Sequence, residues 1–284
     1  MRSYIKIYRP MNIFFIGASQ LFCAYYLDRF ASLSTLLNTR FYWVSIGTIA
    51  CASFGYWIND FFDKERDLIN NKQSYLHFLP KGLVILHLIF FALIGLVSGY
   101  FLEIRFLLLN ILTLFILLIY SWRLKDFLFV GNIFIALLSF LSIYSISFIS
   151  PSIDPFLLYH YSIFSGLIIL CREIIKDAED IEGDRATNSY TVPILIGIKK
   201  TNILVYIILL LSISLLIFSY YYQSFYFQGY LKYIFTSYIV LFVLIPLYKV
   251  TLDVKFAKNS LDYSKLSTIL KYVIFTGILS VLFF

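Results

Sequence analysis

Ten of the 16 acidic residues in this 284-residue chain occupy two short segments. The first, NDFFDKERD, begins at Asn59 and holds Asp60, Asp63, Glu65 and Asp67. The second, REIIKDAEDIEGD, begins at Arg172 and holds Glu173, Asp177, Glu179, Asp180, Glu182 and Asp184. Asp60, Asp63 and Asp67 stand at i, i+3 and i+7, and so do Asp177, Asp180 and Asp184, 117 residues later in every case. If the helix carrying each segment runs on through it, that spacing puts three carboxylates on one face. Three such groups repel one another unless a cation sits among them. An all-oxygen donor set without His or Cys favours Mg²⁺ or Ca²⁺ over zinc. Magnesium takes one or two protein carboxylates and completes its shell with water and phosphate oxygens. Two such faces across one cavity form a clamp for a diphosphate. Solvated charges at helix ends would explain one cluster as well, but account poorly for two with matching spacing.

The elements that must position these clusters follow from composition. The chain is 61% hydrophobic and 14% charged, whereas a soluble domain carries roughly 25% charged residues. Its apolar residues fall in nine blocks near 11–29, 41–59, 83–101, 106–122, 130–149, 156–175, 203–222, 231–249 and 266–283. Each approaches the roughly 20 residues that a helix needs to cross a bilayer core. Alternation of the kind found in membrane barrels does not recur, and helices satisfy their own backbone groups, which lipid cannot do. The expected fold is all-α: a polytopic membrane protein of nine transmembrane helices, forming one domain over 1–284.

The aspartate segments follow the second and sixth blocks, so an alternating topology puts both on one side. With a cytoplasmic N-terminus, eighteen Lys and Arg residues fall on that side. Arg29, Arg40, Arg105 and Lys232 fall on the other, and Lys271 lies inside the last block. This asymmetry follows the positive-inside rule and accounts for the net charge of +7. No basic tract with interleaved aromatics points to nucleic acid. The first block lacks a small-residue cleavage site and reads as a span, not a leader. Cys23, Cys51 and Cys171 lack metal-ligand spacing and read as small apolar residues; His77, His87 and His160 are scattered.

At the aspartate segments the sequence resembles the UbiA superfamily of intramembrane prenyltransferases. NDFFDKERD fits the first family motif, N-D-x-x-D-x-x-x-D, and DAEDIEGD fits the second, D-x-x-D-x-x-x-D. Weaker echoes are Arg9, Pro10 and Asn12 entering helix one, YSWRLK over 120–125 with Gly131-Asn132 after it, and Thr191, Pro193 and Gly197. The resemblance implies nine helices around a central cavity, with both motifs at its cytoplasmic mouth in a bacterial or archaeal cell membrane. It assigns Asp60, Asp63, Asp67, Asp177, Asp180 and Asp184 to Mg²⁺ and to catalysis, and Asn59 to substrate binding. Lys125, Arg172 and Lys176 are placed to hold the diphosphate as fixed cations, and Asn12 enters the same site. Each of these cations also suits the ordinary role of an interfacial anchor. Tyr120 and Trp122 lie near the right level, as site or belt aromatics. The loops over 70–82 and 186–191 depart from the family pattern: Arg-Pro is absent from the first, leaving Lys72 or Lys81 to substitute.

The implied activity is transfer of a prenyl group from an isoprenyl diphosphate to a lipophilic acceptor, both reached from membrane lipid. REIIKDAEDIEGD looks most like the members that join a geranylgeranyl chain to geranylgeranylglyceryl phosphate. An aromatic quinone precursor is the alternative acceptor. A lipid-phosphate carrier or an inactive homologue is the alternative outside catalysis, although the carboxylates lie at helix ends and not at the midplane where transporters bind. On this reading Asp60→Ala or Asp177→Ala abolishes transfer while the chain still inserts. Membrane extraction paired with a transfer assay checks both halves of that expectation.

Overall fold

In a computed structural model the described residues are 6–28, 33–64, 75–123, 129–186 and 189–284. Nine principal helices follow in chain order. They are α1 (Pro10–Tyr26), α2 (Thr39–Phe62), α3 (Lys81–Leu102), α4 (Ile104–Trp122), α5 (Val130–Tyr144), α6 (Pro155–Glu179), α7 (Ile198–Gln223), α8 (Gly229–Asp253) and α9 (Ser260–Leu279). Each corresponds to one apolar block of the sequence. The helices α2 to α9 are long and apolar enough to cross a membrane, α5 together with the 3-10 turn Ser145–Phe148 that continues it. At 17 residues, α1 spans about 25 Å, less than the roughly 30 Å of a bilayer core. Among the described residues there is no strand, only an isolated bridge between Asp28 and Ile153.

Two groups of helices divide the bundle. In one, α2 packs against α3 and α4; in the other, α6 packs against α5, α7 and α9. Between them α1 touches α2, α5 and α9. The helices that carry the aspartates, α2 and α6, are the least apolar and most buried spans. On α3, α4 and α7 the outward side chains are large and apolar, among them Leu86, Phe90, Leu108, Phe115, Leu211 and Phe218. That is the distribution expected when lipid is the outer solvent and a polar cavity lies inside.

At the end opposite the motifs the bundle is tied by polar contacts. The Asp154 N–H donates to Leu27 O at 2.8 Å, and the Asp154 side chain caps α6 by accepting from Leu157 N at 3.0 Å. Arg40 pairs with Glu103 across the start of α2 and the α3–α4 turn. That turn is tight: a Cβ on Gly99 would lie 2.5 Å from the Leu107 backbone, so only glycine lets the two helices close there.

One span departs from α-helical geometry. Residues Ile239–Leu244 of α8 are π-helical, just before Pro246. Proline has no N–H to donate to the carbonyl four residues back, here that of Phe242. The Thr276 hydroxyl of α9 lies 2.8 Å from that carbonyl and 3.0 Å from Tyr272 O of its own helix, sharing one hydrogen between them. A neighbouring hydroxyl plus a local π adjustment is how membrane helices re-satisfy a group freed by proline. Thr276→Val keeps the shape and removes the donor, so it should destabilise the fold by about 1 kcal/mol, while Thr276→Ser should not. Thermal unfolding in detergent measures the difference; equal midpoints would mean that the Phe242 carbonyl finds another donor.

Candidate active site

Both aspartate segments bend at the same place. The helix α2 ends at Phe62, and Asp63 follows with φ −84° and ψ 4°, its N–H still donating to Asn59 O at 2.9 Å. The helix α6 ends at Glu179, and Asp180 follows with φ −99° and ψ 14°, its N–H donating to Lys176 O at 2.9 Å. Asp63 and Asp180 are the middle members of their triplets. In the second segment, which is described throughout, the unbroken helical face expected from the spacing does not form. Aspartate competes with the backbone for hydrogen bonds and is at home where a helix stops, and both breaks lie in the sparsely used bridge region. After the second break Asp184 sits on a separate short helix, Ile181–Ala186, with its N–H on Asp180 O at 3.1 Å. Buried at 3% exposure, it lines the same cavity as Asp177 and Asp180. Its counterpart Asp67 lies outside the described residues.

The cavity measures about 610 Å³ and is walled by α1, α2, α4, α5, α6 and α9. Phe22, Phe106, Leu109 and Ile278 line its apolar depth; Asn59, Asp63, Asp177, Asp180 and Asp184 line the motif end. Asn12, Arg172 and Lys176 line it as well, so eight of the predicted site residues meet around one space. Asp60 reaches that space through a partner. It is buried at 7% exposure and its Oδ1 pairs with Arg9, a lining residue. Lys125 and Lys72 lie outside the described residues, and Lys81, the first residue of α3, is not among the lining residues. Tyr120 lines the cavity, whereas Trp122 is 61% exposed on the outside.

Each cluster is held by named partners. Asn59 Nδ2 donates to Asp63 Oδ2 at 2.7 Å, and Asn132 Nδ2, on α5, donates to Asp177 Oδ2 at 2.9 Å. Arg9, at the N-cap of α1, takes the left-handed region, φ 46° and ψ 58°, outside the right-handed helical region that Pro10 disfavours for the residue before it. Tyr8 packs on Trp57 with ring centroids 5.3 Å apart, and the Arg9 guanidinium lies 5.0 Å from the centroid of the Tyr56 ring. The chain entering α1 is thereby fixed against α2, and Arg9 is delivered to Asp60. On α6, Glu173 lies between two cations, 2.9 Å from Arg172 Nη1 and 3.6 Å from Lys176 Nζ. Arg172 and Thr191 line the cavity, while the Arg172 Nε and Thr191 Oγ1 atoms themselves are buried without a hydrogen-bond partner.

The sequence reading assigned no role to Arg9, Asn132, Glu173 or Lys271. Arg9 and Asn132 stood in recognisable short motifs, but nothing in one sequence says which aspartate each one meets. The donors that line the cavity are hard oxygens, those of Asp63, Glu173, Asp177, Asp180 and Asp184 and of side-chain amides such as Asn59 and Asn132, a set that suits magnesium. Among the described residues no three His, Cys, Asp or Glu side chains converge closely enough to hold a metal by themselves. A magnesium ion bound through one or two carboxylates, with water and phosphate oxygens, needs no such triplet.

The chain is similar to known proteins in sequence and in fold. The model of the UbiA prenyltransferase family matches residues 21–271. The digeranylgeranylglyceryl phosphate synthase of Methanothermobacter thermautotrophicus is 32% identical over 210 residues, which is 72% of this chain and 70% of that one. The Pyrococcus furiosus enzyme of the same name is 34% identical over 212 residues, 72% of each. A UbiA homologue from Archaeoglobus fulgidus, solved with GPP and Mg²⁺ bound, superposes with a TM-score of 0.66 at 17% identity, covering 98% of this chain and 99% of that one. With its family model spanning seven of the nine helices whole and parts of α1 and α9, this chain belongs to the UbiA prenyltransferase family.

Proposed function

We propose that this prenyltransferase moves a geranylgeranyl group from geranylgeranyl diphosphate to geranylgeranylglyceryl phosphate, with both aspartate motifs on the cytoplasmic side of an archaeal or bacterial membrane. The observation that carries the reading is the convergence of Asp63, Asp177, Asp180 and Asp184 with Arg172 and Lys176 on one cavity. The acceptor rests on the relatives, which are named for making digeranylgeranylglyceryl phosphate.

Asp63, Asp177, Asp180 and Asp184 would hold Mg²⁺, joined by Asp60 and Asp67 where the motif is followed in full. Once bound, the ion neutralises charge on the diphosphate as it leaves. The protein's own groups do the rest. Arg172 and Lys176 are held in place by Glu173 and supply fixed positive charge to the leaving oxygens. Asn59 and Asn132 orient the carboxylates they bond. The C1–O bond of the donor breaks and its electron pair departs with pyrophosphate. The acceptor hydroxyl oxygen forms the new bond to C1, and its proton passes to a cavity carboxylate or to the departing pyrophosphate. Apolar walls deeper down, at Phe22, Phe106 and Ile278, house prenyl chain and keep water from the electron-deficient carbon. Tyr56 and Tyr120 line the same space, and aromatic rings attract a developing cation.

The test is a transfer assay on purified protein with radiolabelled geranylgeranyl diphosphate and Mg²⁺. Geranylgeranylglyceryl phosphate is offered beside a panel of aromatic acids. Labelled ether lipid is the expected product; an aromatic product would keep the mechanism and replace the acceptor. Chelation should abolish turnover and added Mg²⁺ restore it. Asp63→Asn and Asp177→Asn should each lower kcat on the order of a hundredfold. Full turnover in either variant under chelation would exclude the carboxylate–metal mechanism.

A further inference from the structure

The outward apolar side chains of α7 and α8 stop at one level near the motif end. On α7 they begin with Ile203, Ile207 and Leu211, and on α8 they finish with Ile245, Tyr248 and Leu252. Lipid is the outer solvent of these helices, so the headgroup layer begins where those side chains give out. Around that boundary stand Lys199, Lys200, Lys249, Lys255, Lys258 and Lys265, against only Asp253 and Asp262. Asp262 is already engaged: its carboxylate accepts from Lys258 N and Asn259 N in the capping box that starts α9. Lys199, Lys255 and Lys258 are exposed, and none of them pairs with a described carboxylate. None of the three lines the active-site cavity.

Contacts between the helices hold these three lysines in one place. The connector over 254–259, between α8 and α9, is pinned where Ala257 O accepts from Asn202 Nδ2 of α7 at 3.0 Å. The Tyr263 hydroxyl of α9 lies 3.1 Å from the same oxygen and 3.0 Å from Asn202 Oδ1. Two residues before Ala257, Lys255 Nζ lies 3.9 Å from the centroid of the Tyr206 ring of α7. Lys199, Asn202 and Tyr206 stand at i, i+3 and i+7, on one face of that helix. The connector therefore lies along this face, with Lys255 level with Tyr206, Lys258 beside the pinned carbonyl and Lys199 a turn further out. From Lys199 to Tyr206 the helix rises about 10 Å, and the headgroup layer of one leaflet is roughly 5–8 Å deep. The three ammonium groups thus span that layer. Phe256, between Lys255 and Ala257, is 77% exposed, and an outward aromatic ring at this level seats at the boundary of headgroups and acyl chains. Like charges fixed side by side repel one another until an anion stands among them. A zwitterionic headgroup brings a cation of its own and relieves little of that repulsion, whereas a headgroup of net negative charge relieves it fully.

We infer that Lys199, Lys255 and Lys258, with Phe256, form a binding surface for the phosphate headgroup of an anionic membrane lipid, outside the active-site cavity. The test reads tryptophan fluorescence from full-length Phe256→Trp protein in phosphatidylcholine vesicles that carry brominated lipid as quencher. Protein with Phe256 intact supplies the background from Trp43, Trp57 and Trp122. Each lysine beside an anionic headgroup contributes about a fivefold factor in affinity. Brominated phosphatidylglycerol should therefore reach the added indole with about tenfold or greater preference over brominated phosphatidylcholine, and high salt should shrink that preference. Combining Lys199→Gln, Lys255→Gln and Lys258→Gln should bring the two lipids close to equal, while the matching set of arginine substitutions should keep the preference. Inorganic phosphate in the aqueous phase should not displace the lipid. Displacement by it would overturn a lipid as the occupant. Equal quenching by the two lipids with all three lysines present, or a preference that survives their loss, would overturn the surface itself.

Discussion

Carboxylates crowded at the end of a cavity within a membrane repel one another, and the surrounding apolar walls do little to screen them. Much of the architecture around the motifs answers that repulsion. Asp60 is met by Arg9, whose own position depends on Pro10 and on the packing of Tyr8 against Trp57. Asp177 is met by the amide of Asn132 and Asp63 by that of Asn59. Glu173 works in the other sense: it holds Arg172 and Lys176 near the site and offsets their charge before a substrate arrives. The helices that carry these groups are the most enclosed of the bundle, so the compensating partners come from the protein.

The two aspartate segments behave as structural copies despite the lack of visible similarity between the helices around them. In each, the helix stops at the middle aspartate, with its N–H bonded four residues back and its dihedral angles near φ −90° and ψ 0°. The break matters because a straight helix would carry the third carboxylate up its axis, away from the cavity. A bend after Asp180 instead returns Asp184 to the lining.

The number of principal helices, their order and the gathering of both aspartate segments at one end of the bundle were legible in the sequence, since all three follow from the apolar block lengths and their alternation. The motif residues were legible too, because two matched triplets of one chemical type are improbable by chance. What the spacing misrepresented was the local path: i, i+3, i+7 implies one face only while the helix is unbroken, and aspartate is among the residues that end helices. The partners were illegible for a different reason. Arg9 and Asp60 are 51 residues apart, and Asn132 and Asp177 are 45 apart. Such pairings are set by how α1 lies on α2 and how α5 lies on α6, which no local pattern encodes.

The pairings also bear on how the chain is made. Arg9 precedes Asp60, Arg40 precedes Glu103 and Asn132 precedes Asp177, while Glu173 offsets part of the charge of Arg172 and Lys176 on α6 itself. During synthesis from the N-terminus, each of these later acids emerges after its partner is already present. Charged helices can then leave the insertion machinery with their compensation in hand, without waiting for a segment still to be translated. Lys271 breaks that order, but it sits on the last helix, and by the time α9 arrives the other walls of the polar chamber it faces have been made.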